Sequence, residues 1–288
     1  MMKTILVTGG AGFIGGNLIE QLVKDPNNRV ISLDNYSTGK KENHIKGAEY
    51  IEGDTNEIAR LVKVRPDLIF HLAEYARVEK SFEDMPLVWR SNKDGTFAVL
   101  EFARAQGAKL VYAGSSTKFG DGGLGRNQSP YAWTKASNTE LVQNYGRWFK
   151  LRYAITYFYN VYGPREISTG GFATVVGIFK EKRRRGEPLS VVAPGTQRRI
   201  FTHVDDIVRG LILVGEKGSG DGYGLGAQEE YSILDIAKLF GGAIEMLPER
   251  AGNRMGSTID LSRSQELGWK AEKSIKEYID EFIGALTS

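Results

Sequence analysis

Short apolar runs alternate with amphipathic stretches through the first half of the chain. Thr4–Val7, Arg29–Leu33, Glu49–Glu52, Asp67–Leu72 and Lys109–Ala113 have strand length, and most are rich in β-branched or large apolar residues. Between them, Asn17–Lys24 places Leu18, Leu22 and Val23 on one helical face. Helical patterns recur over 57–64, 86–106 and 130–149, and a further strand is expected near 152–158. This alternation predicts parallel βαβ units and a doubly wound, mostly parallel α/β sheet.

After about residue 160 Gly and Pro break the rhythm, at Gly163-Pro164, Gly170-Gly171, Gly186-Glu187-Pro188 and Pro194-Gly195. Helical patterns return at 172–185, 204–216, 232–240 and 274–286. The expected organisation is a larger α/β domain over 1–160 and a smaller mixed α/β domain over 161–288. The second should pack over the carboxyl edge of the sheet and interleave with the first, with segments near 200–226 returning to it.

Composition narrows the chemistry. The 288 residues, 41% hydrophobic and 25% charged, describe an ordinary globular chain. Thirty-five glycines exceed the usual share of about 7%, so tight turns and close backbone approaches are expected. No cysteine is present, which removes disulfides, thiolate metal sites and a cysteine nucleophile. His44, His71 and His203 are scattered, and no metal site is expected. A net charge of +3 is too balanced for bulk nucleic-acid binding. The basic run Lys180, Lys182, Arg183, Arg184, Arg185 reads first as a solvated helix end and second as a phosphate-facing patch. No apolar stretch approaches the ~18 residues needed to span a bilayer. The start of the chain is too glycine-rich for a signal peptide, so a cytoplasmic protein without membrane contact is expected.

The sharpest local signal is Val7-Thr8-Gly9-Gly10-Ala11-Gly12-Phe13-Ile14-Gly15, glycines spaced G-x-x-G-x-x-G between a strand and a helix. Such a turn lets a pyrophosphate approach the amides at a helix N-terminus. The next strand ends in Asp34, about 20 residues on, where an acid can hold the ribose hydroxyls of adenosine and repel a 2′-phosphate. That favours NAD over NADP and a Rossmann reading of the sheet. Asp54-Thr55 follows the third strand, where adenine would lie, although Asp54 is equally an N-cap. His71 ends the fourth strand and reads as structural.

Tyr131 and Lys135 stand four apart on a predicted helix and share a face. Tyrosine is a poor base near neutral pH, but a neighbouring lysine cation favours the ionised form. The fifth strand runs into Ser115, placed to face both a substrate hydroxyl and the tyrosine oxygen. Ser, Tyr and Lys after a dinucleotide turn form a proton relay suited to hydride transfer. Taken singly, the serines read as loop caps and Tyr131 as a core aromatic.

These residues resemble the extended short-chain dehydrogenase/reductases of the sugar-nucleotide epimerase/dehydratase family. The likeness runs over nearly the whole chain. It includes His71-Leu72-Ala73, Asn92 with Gly95-Thr96, Phe119-Gly120, Tyr159-Asn160-Val161-Tyr162-Gly163-Pro164-Arg165, Arg199-Ile200-Phe201-Thr202-His203-Val204-Asp205-Asp206 and Leu267-Gly268-Trp269. The resemblance implies NAD held by Gly9, Gly12, Phe13, Ile14, Gly15, Asp34, Asn35, Asp54, Thr55, Leu72, Ala73, Asn92, Tyr131, Lys135 and Tyr159. It implies a nucleotide-sugar substrate held by Ser81, Ser115, Asn160, Arg199, Arg254 and Ser257, and chemistry by Ser115, Tyr131 and Lys135.

The implied activity is inversion at C4 of a UDP-sugar through a 4-keto intermediate. The candidate pairs are UDP-Glc/UDP-Gal and UDP-GlcNAc/UDP-GalNAc, since a small Ser257 leaves room for an N-acetyl group. Net-redox chemistry, another nucleotide sugar such as a uronate or a CDP-sugar, and a silent NAD-sensing or RNA-binding relative are the alternatives. A homodimer through helices 86–106 and 130–149 is also implied. Two departures stand out. Ser116 and Thr117 replace the acid/base pair of dehydratases, and Glu74 stands where small residues are usual. The 121–129 connection is short and glycine-rich and is expected to be a mobile loop.

Overall fold

The apolar runs pair edge to edge because the sheet they form is covered on both faces. In the computed structural model, which describes residues 2–249 and 260–287, the sheet holds β1 (Lys3–Thr8), β2 (Asn28–Asp34), β3 (Ala48–Glu52), β4 (Leu68–His71), β5 (Lys109–Ser115) and β6 (Tyr153–Phe158). The helices woven between them are α1 (Phe13–Leu22), α2 (Ile58–Leu61), α3 (Met85–Val88), α4 (Gly95–Gln106) and α5 (Pro130–Phe149). The later elements are β7 (Val161–Tyr162), α6 (Val175–Arg185), β8 (Leu189–Val192), β9 (Arg198–Ile200), β10 (Thr202–His203), α7 (Val204–Lys217), β11 (Gly220–Leu225), β12 (Glu230–Ser232), α8 (Ile233–Phe240), β13 (Ile244–Leu247), α9 (Ser262–Glu266) and α10 (Ile275–Thr287).

Seven parallel strands run in the order β11-β6-β5-β4-β1-β2-β3. The chain winds one way from β1 to β3 and the other from β4 to β11, so the switch point lies between β1 and β4. Successive side chains alternate faces. Leu6, Ile31, Ile69, Leu110 and Ile155 face α4 and α5, while Ile5, Val7, Val30, Phe70 and Val111 face α1 and α7. Ligands of such sheets bind outside the strands' carboxyl ends at the switch point, and the glycine turn sits there.

The sequence pattern did not reveal β11. Its Gly-Asp-Gly-Tyr-Gly-Leu reads as loop, yet it pairs with β6 because Tyr223 and Leu225 are buried there. The single helix expected over 86–106 is broken: π-helical turns at Trp89–Asp94 separate α3 from α4. The 121–129 connection, expected as a loop, runs largely within the 3₁₀ turns of Ser116–Asn127.

Residues beyond 160 build a third core, in which Tyr162, Phe179, Val191, Phe201, Phe240 and Ile279 meet under α6, α8, α10 and the β8–β13 pair. Arg165 ties this part to α1, with Nη1 2.9 Å from Glu20 and 2.8 Å from the Asn17 side-chain oxygen. Asp206 is buried and accepts the amides of Glu272 and Lys273 at 3.0 and 2.9 Å. Trp269 Nε1 donates to the Asp206 carbonyl. Several family-like segments outside the site thus act as structural staples.

The basic run on α6 is tied down locally. Arg185 pairs with Glu181 at 2.7 Å, and Lys180 donates to the Tyr278 hydroxyl at 2.6 Å. Among the described residues no helix is long and apolar enough to cross a membrane.

Candidate active site

The switch point opens into a cavity of about 960 Å³, at the large end for small-molecule sites. Its floor is the glycine turn. Gly9 adopts φ +78°, which only glycine takes without strain. A Cβ on Gly15 would stand 2.1 Å from the Gly9 carbonyl oxygen, so the turn closes only with glycine there. No side chain caps the start of α1, leaving its first amides for an anion. Phe13, Ile14 and Gly12 line the same wall.

Asp34 is buried at the end of β2 and accepts from the amides of Ala11 and Tyr36 at 2.9 and 2.8 Å. Burial raises its carboxyl above the ordinary aspartate value, against the pull of those two bonds. Asn35, Asp54 and Thr55 continue this wall. Asp54 also caps the following 3₁₀ turn through the Asn56 amide, so both readings of it coexist. The glycine cradle and the acid at the next strand end fit an adenine dinucleotide.

Across the cavity, β5 delivers Ser115. Ser129 caps α5, its Oγ accepting the Ala132 amide at 3.1 Å, and Pro130 opens the first turn. That start fixes Tyr131, whose hydroxyl donates to Ser115 Oγ at 3.2 Å. Ser115 in turn meets Thr117 Oγ1 at 2.9 Å.

Lys135, one turn along α5, also reaches the cavity. Its ammonium is paired with Glu74 and donates to the Ala113 carbonyl. The two paired side chains are only 7% and 4% exposed. The Glu74 carboxylate further accepts from Thr96 at 2.6 Å, Asn138 at 2.9 Å and the Tyr112 hydroxyl at 3.1 Å. Burial opposes its charge, but the Lys135 ammonium and the Thr96 hydroxyl hold the carboxyl below its ordinary value. The unusual Glu74 is therefore the hub of a buried polar network beneath the catalytic face.

His71 closes that network. Thr8 Oγ1 receives the amides of Leu72 and Ala73, so its own proton goes to His71 Nδ1 at 2.7 Å. Thr96 gives its proton to Glu74, so His71 Nε2 donates to Thr96 at 3.0 Å. This assigns one neutral tautomer, and burial pushes the imidazole down to about 4.

Leu72, Ala73, Asn160 and Arg199 line the cavity as well. Asn160 is fixed by its donation to the Ile200 carbonyl at 2.8 Å. Three expected residues lie elsewhere. Asn92 is fully buried and clamps the 72–77 segment to α5, accepting the Tyr75 amide at 2.7 Å and donating to Thr134 at 3.1 Å. The Tyr159 side chain turns into the core, while Phe158 and Asn160 on either side face the cavity. Ser81 is buried and donates to the Val78 carbonyl, and Glu79 and Lys80 line the wall instead. Arg254 and Ser257 lie outside the described residues.

Arg77, Phe172 and the 167–175 segment join the wall without having been singled out in the sequence. The available signal was a charged residue, Arg77, within the segment that leaves the carboxyl end of β4.

A glycine turn at the switch point, an acid closing the next strand and a Ser–Tyr pair beside a buried lysine define an extended short-chain dehydrogenase/reductase. The chain belongs to the NAD-dependent epimerase/dehydratase family, whose family model matches residues 5–226, and it is an NAD-dependent enzyme. It is 30% identical to the UDP-glucose 4-epimerase of Mycolicibacterium smegmatis over 98% of this chain and 97% of that one. It is also 30% identical to UDP-glucuronic acid decarboxylase 3 of Arabidopsis thaliana over 95% of this chain and 86% of the relative. The crystal structure of the Thermus thermophilus UDP-glucose 4-epimerase in complex with NAD superposes with a TM-score of 0.87 at 28% identity, covering 99% of each chain.

Proposed function

We propose that the chain inverts C4 of a UDP-sugar. The observation that carries this reading is the Tyr131–Ser115 hydrogen bond of 3.2 Å on the wall of the dinucleotide cavity, with Ser116 and Thr117 where a dehydratase has its acid/base pair. NAD, when bound, would supply hydride removal and return at C4. Gly9, Gly12, Gly15 and the start of α1 would hold its pyrophosphate, and Asp34 its adenosine ribose.

Tyr131 takes the proton of the C4 hydroxyl, with Ser115 bridging, and gives it back when the opposite face of C4 is reduced. Lys135, one turn further along α5, is held under this face by Glu74 and the Ala113 carbonyl. Arg199 and Asn160 orient the diphosphate, whose oxygens suit a guanidinium fork. Since there is no net redox change, turnover would need no stoichiometric cofactor.

The test is an NMR time course of the purified protein with UDP-Glc, UDP-GlcNAc and UDP-glucuronate, without added NAD. Appearance of a C4 epimer supports the reading. No conversion of any of them, even with NAD added, overturns it.

The same reading includes a homodimer through α4 and α5. Phe97 on α4 and Trp133, Trp148 and Phe149 on α5 are large, apolar and exposed, a grouping that marks interaction surfaces. Light scattering at micromolar concentration checks this. A monomer under those conditions refutes it.

A further inference from the structure

Lys135 reaches the Ser115–Tyr131 side of the cavity with a carboxylate already on it. An ammonium has three donors. One goes to Glu74 and one to the Ala113 carbonyl, and Glu74 is its sole ion-pair partner among the described residues. The ammonium also lies 4.7 Å from the centre of the Tyr112 ring. Tyr131 is anchored two residues further along β5, through Ser115, so the two anchors are about 7 Å of strand apart.

The other ionisable groups around the pair come from several elements. β4 brings His71, which burial keeps neutral. β5 brings Tyr112, which burial and Glu74 keep protonated. Lys93 interacts with Glu74 from the π-helical turns, where it donates to Ser137 and Asn138 at 3.0 and 2.8 Å. Arg77, with Glu79 among its neighbours, interacts with Tyr131 from the segment after β4. Glu74 is the carboxylate in direct contact with the lysine, and the two together carry no net charge where a lone ammonium would carry one.

We infer that Glu74 is a positioning residue for the reaction: it holds the Lys135 ammonium against β5 and offsets its charge beside Tyr131. The use of that proton relay rests on the C4-epimerase reading; the coupling of Glu74 to it does not. A carboxylate favours the protonated form of each group near it. Removing it therefore moves the first proton loss of the Tyr131–Lys135 pair to lower pH, whichever of the two gives the proton up. Over about 7–10 Å at an effective dielectric of about 20, one charge moves that loss by about 1–2 pH units.

The experiment compares the NAD-loaded wild type with Glu74→Gln, Glu74→Ala and Glu74→Asp, at a temperature where calorimetry shows all four folded. Glutamine keeps the shape, and alanine supplies the small side chain usual at this position, so loss of charge is tested even where glutamine is not tolerated. The first readout is tyrosinate absorbance against pH, each protein measured against its own Tyr131→Phe counterpart. The second is the acid limb of UDP-sugar turnover. In Glu74→Gln and Glu74→Ala both should move down by about 1–2 pH units. Glu74→Asp, which keeps the charge, should stay near the wild type.

A merely structural carboxylate would lower melting and turnover and leave both pH profiles in place, and that result overturns the proposal. So does a shift of the same size in Glu74→Asp. A shifted tyrosine titration in a protein that converts no UDP-sugar keeps the coupling and removes the C4-epimerase reading.

Discussion

Glu74→Gln isolates the charge at the centre of the buried network. Glutamine keeps the shape, and its oxygen can still accept from Thr96 and Asn138, but its amide then faces the Lys135 ammonium. With both side chains more than nine-tenths buried, Lys135 is left with the Ala113 carbonyl as its remaining polar partner. Breaking a buried pair from one side costs about 3–5 kcal/mol. At roughly 2–4 °C per kcal/mol for a chain near this size, melting should fall by about 6–20 °C.

Lys135→Met should be comparably damaging, because it strands the carboxylate. The double variant should be less damaged than the sum of the two by about 0.5–3 kcal/mol, as expected for a direct pair. Differential scanning calorimetry of the four proteins, with NAD removed, measures this. Additive single effects, or a Glu74→Gln melt within about 2 °C of wild type, the least that 1 kcal/mol would shift it, would contradict a direct buried pair.

Tyr131→Phe should lower epimerisation by about 10²–10⁴-fold, with NAD retention and melting temperature unchanged. Assay by NMR and by released-cofactor absorbance checks both. Gly15→Ala forces a Cβ onto backbone, 2.1 Å from the Gly9 oxygen and 2.8 Å from Gly10 Cα. It should cost about 1–3 kcal/mol and cut NAD affinity at least tenfold by fluorescence titration. Gly284→Ala in α10, with open space around it, should stabilise by about 0.5–1 kcal/mol.

His71 titrates near 6.5 when unfolded and at about 4 when folded, so the unfolded chain binds the proton first as pH falls. Stability is therefore full above about pH 6.5 and declines by roughly 3 kcal/mol on reaching about pH 4. Urea melts across that window should show the decline, and His71→Gln should flatten part of it.

Legibility in the sequence follows the range of the interaction. The glycine turn, Asp34 and the Tyr131/Lys135 face were readable because a strand end, a helix start and an i,i+4 spacing are set by neighbours in the chain. Asn92 and Ser81 looked equally polar and equally well placed, yet both are buried as clamps. Their direction depends on the π-helical turns of Trp89–Asp94 and on the path of the 72–82 segment. Tyr159 turned inward for a similar reason: side chains alternate, and which one faces the cavity depends on how the segment after β6 leaves the sheet. Glu74 was visible as an oddity without a role, because its partners Thr96, Tyr112, Lys135 and Asn138 come from three other elements.

The parallel α/β sheet was already written in the alternating pattern of the chain, and the dinucleotide turn and Ser–Tyr–Lys order in its local geometry. The charge balance of the site was not. Packing buried Glu74 against Lys135, left Arg77 in the cavity wall with its Nε unbonded, and drew the glycine-rich β11 into the sheet. Burial and pairing depend on distances between segments far apart in the chain, and those distances exist only once the sheet and its crossing helices have assembled.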